Sequence, residues 1–267
     1  MKIENENERE RVLEVRKDHP APLALRKTLS NSQLSLREAG FLVDLFHKNI
    51  IKLEGFVEDL SNNRIWLIFP WAGEGNLKDF AALRDWEIPE RISLINDVTT
   101  GVEYLHSRNP PICHGDLKSL NILVNWGCRA VITDLGSARR VLTKAAVTQR
   151  NQNGKYTLRW AAPELLMDDE PGLWSDIWAL GWICYEVMTN SIPFQDVKKD
   201  SVVVKHVIQG NLPSVSEHSR MLLIRTLHSL MMKCWSIDPK KRPTAEVCRT
   251  SIEQMVCNVD SGLFEHC

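Results

Sequence analysis

The sequence is short of several things at once, and each shortage excludes something. No glycine precedes Gly40. Backbone that closes on a phosphate needs glycines, so no glycine-rich phosphate loop stands ahead of that point. Excess charge is missing too: 33 Lys and Arg meet 34 Asp and Glu, a formal net charge of -1. That argues against a nucleic-acid or membrane-surface binder driven by bulk charge. Cys113, Cys128, Cys184, Cys234, Cys248, Cys257 and Cys267 are odd in number, far apart, and form no CxxC pair. Reduced intracellular thiols are expected, rather than a disulfide framework or a zinc site. Long apolar runs are absent. The most apolar stretch, around residues 177–187, is too short to span a bilayer and is interrupted by Glu186. The charged N-terminus has no apolar signal core, so a cytoplasmic location is the expectation.

What is present suffices for a core. Hydrophobic residues make up 43% of 267 positions and charged residues 25%. One large domain or two tightly coupled lobes fit that length. Residues 11–17 alternate like a strand, and residues 23–29 read as a second one after Pro20 and Pro22. Over residues 35–46 the period becomes helical, with Leu34, Glu38, Phe41, Leu42 and Leu45 on one face. Residues 50–58 and 64–71 read as two more strands. Beyond Gly73 and Gly75, the spacing of Ile92, Ile95, Val98, Val102 and Leu105 predicts a long amphipathic helix ending at Asn109-Pro110-Pro111. Residues 122–124 and 130–133 flank a hairpin turn at Asn125-Trp126-Gly127, and the rest is mostly helical. The expected class is α+β, with a small strand-rich part over residues 1–72 and a larger helical part over 73–267.

The densest chemistry lies in the run HGDLKSLNILV, residues 114–124. It supplies a carboxylate (Asp116), a cation (Lys118) and an amide (Asn121). A second carboxylate, Asp134, follows the hairpin in TDLGSA. Phosphoryl transfer needs this set. One carboxylate orients the attacking hydroxyl, a cation neutralises the moving phosphoryl group, and an amide with a carboxylate holds Mg²⁺. Gly136 lets the chain turn away from the metal.

HGDLKSLNILV followed by DLG resembles the catalytic loop and Asp-Phe-Gly element of eukaryotic protein kinases. Further matches follow in the family's order. RWAAPE, residues 159–164, resembles the end of an activation segment. SDIWALG, residues 175–181, resembles the buried helix whose Asp176 braces the catalytic loop. Lys241-Arg242-Pro243-Thr244 resembles the late motif whose arginine pairs with Glu164. RWAAPE and HKNIIKLEGF look most like the tyrosine-kinase-like group, while Lys118 follows the serine/threonine pattern. The resemblance implies a two-lobe protein-kinase-like fold with an incomplete N-lobe, ATP and Mg²⁺ as cofactors, and a protein substrate. It makes Asp116 and Lys118 catalytic and gives the metal to Asn121 and Asp134. Phe69 becomes the gatekeeper of the back pocket, and the backbone of Pro70 and Ala72 meets adenine.

The pattern also breaks in places. The strand expected to read Val-Ala-Ile-Lys is Leu23-Ala24-Leu25-Arg26, followed by Lys27. Alternation puts Ala24 and Arg26 on one face, so Arg26 stands where the lysine should be unless a bulge restores Lys27. A misplaced cation there would cost about 10²–10³ in rate. Glu38 matches the helix glutamate that pairs with this cation, but Ser35-x-x-Glu38 also reads as a capping box. Gly115 replaces the arginine that binds an activation-loop phosphate, and Leu135 replaces phenylalanine. Residues 134–164 carry basic side chains at Arg139, Arg140, Lys144, Arg150 and Lys155, and candidate phosphate acceptors at Thr143, Thr148, Tyr156 and Thr157. In the serine/threonine pattern, a threonine near Thr157 touches the catalytic Asp and Lys. Three readings stay open: a protein kinase, a pseudokinase serving as a binding module, and a small-molecule phosphotransferase, in which His-Gly-Asp is common. RWAAPE, SDIWALG and Arg242 rank the last one lowest. A phosphate loop lying upstream in a longer chain would also account for the missing glycines.

Overall fold

The computed structural model describes residues 23–28, 32–59, 64–141, 157–167, 169–212 and 222–260. The strand expected at residues 11–17 lies outside them. Three apolar runs form one antiparallel sheet: β1 (Leu23–Thr28), β2 (Gly55–Asp59) and β3 (Arg64–Pro70), in the order β1-β3-β2. The central strand is the most apolar, and its Leu67, Ile68 and Phe69 are buried. The register sets Ala24 opposite Phe69, Arg26 opposite Leu67 and Lys27 opposite Trp66. The pairing runs without a bulge from Leu23 to Thr28.

Helix α1 (Ser32–Leu42) packs on β3 and on the turn after Asp134, burying Phe41 and Leu42. It starts and ends earlier than the periodicity of residues 35–46 predicts. Tighter turns end it: Asp44 N donates to Phe41 O and Leu45 N to Leu42 O. Ser35 therefore lies inside the helix, and the capping-box reading of Glu38 falls. The strand predicted at 50–58 also begins late. Ile51 N donates to Ile132 O and Ile132 N to Asn49 O, so residues 49–51 run beside the helical part instead of joining the sheet.

The remainder is built around helices. Helix α2 (Leu77–Leu83) is capped by Asn76, whose Oδ1 accepts from Asp79 N. Helix α3 (Ile88–His106) starts with a Glu87/Glu90 capping box and a proline in its first turn, and buries Ile92, Ile95, Val98, Val102 and Leu105 as predicted. Strand β4 (Ile112–Cys113) follows, then the hairpin of β5 (Ile122–Val124) and β6 (Ala130–Ile132). Asn125 closes its turn by accepting from Gly127 N and Arg129 N. Strand β7 (Arg139–Arg140) returns to pair with β4. Helix α4 (Leu173–Thr189) is apolar nearly all round because it is buried nearly all round, with Ile177, Trp178, Trp182 and Ile183 inaccessible or nearly so. Helices α5 (Asp200–Gln209), α6 (Leu222–Cys234) and α7 (Ala245–Asp260) complete the structure, with α6 against α4 and α7 along α3. One core cluster runs from Phe41 to Met255. No helix among the described residues is long and apolar enough to cross a membrane.

Candidate active site

The segment after β4 is held from below by α4. The Asp176 carboxylate accepts from His114 N at 2.7 Å and from Gly115 N at 2.9 Å, and lies 3.0 Å from His106 Nε2. Burial pushes this carboxyl's pKa up, but the bond from His106 and the other donors outweigh burial and hold it below the ordinary carboxylate value. Asp176 is thus a brace rather than the end of a helix cap. Gly115 has φ +80°, and a Cβ there would stand 2.9 Å from Ser137 O. The residue replacing the family's arginine therefore sits where an unbranched backbone fits best. His114 is buried and its Nε2 donates to Thr133 O, which leaves Nδ1 to accept from Asp116 N.

Four side chains meet beside this frame. Lys118 Nζ donates to Asp116 Oδ2 at 2.6 Å and to Thr157 Oγ1 at 2.6 Å. Thr157 Oγ1 donates to Asp116 Oδ1 at 2.7 Å. Asn121 Nδ2 donates to the Asp116 main-chain O at 2.8 Å and to its Oδ2 at 3.2 Å. Asp116 and Lys118 each keep 16% exposure, enough to meet a substrate from outside. The threonine that the serine/threonine pattern expects is in contact with both. Thr143, Thr148 and Tyr156 lie outside the described residues.

Asp134 has φ 65° and ψ 60°, a left-handed conformation that aspartate tolerates, while Leu135 next to it is fully buried. Asp134 and Asn121 line one cleft of about 370 Å³, together with Phe69, Pro70 and Ala72. The donor set fits magnesium, which takes hard oxygen ligands from one or two side chains and the rest from phosphate and water. Asn121 points its nitrogen at Asp116, which leaves Oδ1 as the end available to a cation. Among the described residues, no group of three or more His, Cys, Asp or Glu forms a closed metal cage. The walls of the cleft are mostly apolar, with Ile51, Phe69, Leu120 and Leu123 among them, as in small-molecule clefts. Glu38 is 4% exposed on α1, and its neighbour Arg37 donates from Nη2 to Ala138 O at 2.8 Å, tying this helix to the segment after Asp134.

The end of the activation segment is anchored in the core. Arg242 meets Glu164 with two parallel bonds, Nη1 to Oε1 at 2.7 Å and Nη2 to Oε2 at 2.8 Å, both residues being buried. Arg159 donates to the carbonyls of Pro193, Phe194 and Val197. Two groups escape sequence reasoning. A histidine at a helix end carries no signal that it will reach Asp176, and Glu186 reads only as an interruption of an apolar run.

The model for the family of protein tyrosine and serine/threonine kinases matches residues 22–252. The chain belongs to that family as a eukaryotic protein kinase domain of tyrosine-kinase-like type, and its α+β architecture with a helical majority is the kinase fold. It is similar to an inactive tyrosine-protein kinase, kin-32, of Caenorhabditis elegans, 29% identical over 230 residues, covering 85% of this chain and 25% of that protein. The serine/threonine-protein kinase CTR1 of Arabidopsis thaliana is 29% identical over 213 residues, 78% of this chain and 25% of that one. A putative serine/threonine-protein kinase/receptor of Acanthamoeba polyphaga mimivirus is 29% identical over 228 residues, 83% of this chain and 13% of that one. The chain thus spans a quarter or less of the length of these relatives.

Proposed function

We propose that this domain transfers the γ-phosphate of ATP to serine or threonine of a protein substrate in intracellular signalling. The observation that carries the reading is the hydrogen-bonded set of Asp116, Lys118 and Thr157 beside a cleft lined by Asn121 and Asp134. Asp116 orients the substrate hydroxyl and takes its proton as the new phosphoester bond forms and the bond to the β-phosphate oxygen breaks, ADP leaving. Lys118 neutralises charge on the phosphoryl group in flight. Thr157 fixes the distance between them, and its place favours serine/threonine over tyrosine specificity. Asn121 and Asp134 would hold Mg²⁺, which would screen the negative charge of the phosphates. The Pro70 carbonyl and the Ala72 backbone receive adenine. By the family pattern, Arg26 on β1 supplies the cation for the remaining phosphates and Glu38 is its partner. Residues 1–72 form the N-lobe and residues 73–267 the C-lobe around this cleft.

A second reading is a pseudokinase that serves as a scaffold or binding module. Arginine is not equivalent to lysine at a phosphate site, since its planar fork is larger and its donors point in fixed directions. One relative bears the name of an inactive kinase. Mg²⁺-dependent binding of ATP, read by calorimetry, together with labelling of a generic basic protein, separates the two. Binding with labelling that Asp116→Asn abolishes is expected. Folded protein that neither binds nor labels would favour the scaffold.

A further inference from the structure

A buried carboxyl sits between the two segments that carry the reacting groups. Glu186 on α4 is 3% exposed, and an ionisable group in an apolar helix needs partners to justify its burial. Ser119 Oγ donates to its Oε1 at 2.7 Å and Trp160 Nε1 donates to its Oε2 at 2.8 Å. The main chain of Ser119 adds a third hydrogen bond. Ser119 directly follows Lys118, and Trp160 closes the single turn Leu158–Trp160 that begins after Thr157. The carboxylate therefore ties the neighbour of Lys118 to the neighbourhood of Thr157, the pair that meets on Asp116.

We infer that Glu186 is a positioning residue: as a carboxylate it clamps the Lys118 loop to the Thr157 turn, and proton uptake loosens the clamp. The catalytic consequence rests on the phosphotransfer reading; the clamp itself does not.

Donor and acceptor counting gives the direction. An ionised carboxylate only accepts, which suits the three donors around it. Once protonated, it presents an O–H of its own. The Trp160 indole can only donate, and so can the Ser119 main-chain N–H, so the Ser119 hydroxyl has to reverse and the set is no longer matched. Burial raises the pKa of Glu186 to about 7, with the bonds from Ser119 and Trp160 pulling it back down. The exposed Lys78 of α2 acts on it through space and also favours the charged form. Other charged groups on the surrounding elements are engaged elsewhere. Lys118 is held by Asp116 and Thr157, and Arg159 by three main-chain carbonyls. Arg91 of α3 is held by Val187 O and Asn190 Oδ1. The clamp therefore changes state close to neutral pH.

The test is the ¹⁵N–H signal of the Trp160 indole in the full chain, identified by its loss in Trp160→Phe and followed by NMR as pH is varied through neutrality. The signal is expected to move with one midpoint near 7 in the wild type, and to stay still in Glu186→Gln. Ser119→Ala removes a donor from the carboxylate, so its midpoint moves upward; this variant decides the matter if Glu186→Gln does not fold. Phosphotransfer by the wild type is expected to slow about tenfold per pH step below the midpoint, and to lose that acid limb in Glu186→Gln. A Trp160 signal that does not titrate, or titrates alike in both proteins, overturns the clamp. A titrating signal with identical transfer profiles overturns its catalytic consequence. Loss of transfer at every pH, with the titration intact, sinks the phosphotransfer reading instead.

Discussion

Replacing Asp176 with alanine removes one acceptor from two main-chain N–H groups at once. His114 N and Gly115 N donate to its carboxylate at 2.7 and 2.9 Å, and His106 adds a third contact at 3.0 Å. Asp176 is 2% exposed and His114 0%, so water has little room to replace the lost oxygens. A buried donor without an acceptor costs about 1–3 kcal/mol. The variant should therefore lose on the order of 3–5 kcal/mol, a large part of the roughly 5–15 kcal/mol that holds a domain together. Asp176→Asn keeps the shape, but its amide nitrogen faces one of the donors, so a loss of about 2 kcal/mol is expected. Urea unfolding of the three proteins at neutral pH measures this, with an unchanged m value as the check on two-state behaviour. The folded pKa of Asp176 is depressed. Its contribution is therefore present above the unfolded carboxylate value and fades as pH falls through the folded one. The gap between wild type and Asp176→Asn should shrink in acid. Asp176→Ala within about 0.5 kcal/mol of wild type, the range of an ordinary surface change, would refute the brace.

Other outcomes follow from the same geometry. Glu164→Ala leaves the Arg242 guanidinium buried without its partner and should cost about 3–5 kcal/mol in the same unfolding assay, more than an exposed pair would. Gly115→Ala forces a side chain into φ +80° against Ser137 O, and a drop of about 1–2 kcal/mol in stability is expected from denaturant titration. Thr157→Ala deprives Asp116 and Lys118 of their shared hydroxyl; steady-state kinetics should show kcat falling about 10–100-fold with KM for ATP little changed, and Thr157→Ser restoring most of it. Glu186 has a raised folded pKa, from 4.5 to about 7. Burying its charge therefore costs folding free energy at and above about pH 7, a cost relieved as pH falls to the unfolded value even though the charged form makes the tighter clamp. Melting curves should show the wild type gaining on Glu186→Gln as pH is lowered from alkaline to acid.

Much of the site was legible because its members are neighbours in the chain. Asp116, Lys118 and Asn121 fall within one short loop, so spacing alone brings them together, and Asp134 returns through a hairpin whose turn residues are readable. Thr157 needed the family pattern, since nothing local says that its hydroxyl will reach back to Asp116. Glu186 and His106 were not legible as partners. Their contacts lie 67 residues away at Ser119 and 70 residues away at Asp176, and only the packed core sets such distances. Periodicity located the helices but not their ends. Helix α1 shifted because tertiary contacts with β3 and the turn after Asp134 fix it, and residues 50–54 left the predicted strand because Asn49 and Ile51 found hydrogen bonds on Ile132. Alternation grouped Ala24 with Arg26 but could not say which residues of β3 stand opposite them; the sheet pairing sets Arg26 against Leu67.

The central claim is that Asp116 works on a hydroxyl at the head of this cleft. Its most direct test is transfer of γ-phosphate from ATP with Mg²⁺ to a mixed serine, threonine and tyrosine peptide library, comparing wild type with Asp116→Asn at equal folded concentration. The account predicts label on serine and threonine, reduced at least about 10²-fold by the substitution. Equal labelling by the two proteins, or none by either while ATP still binds, would contradict it.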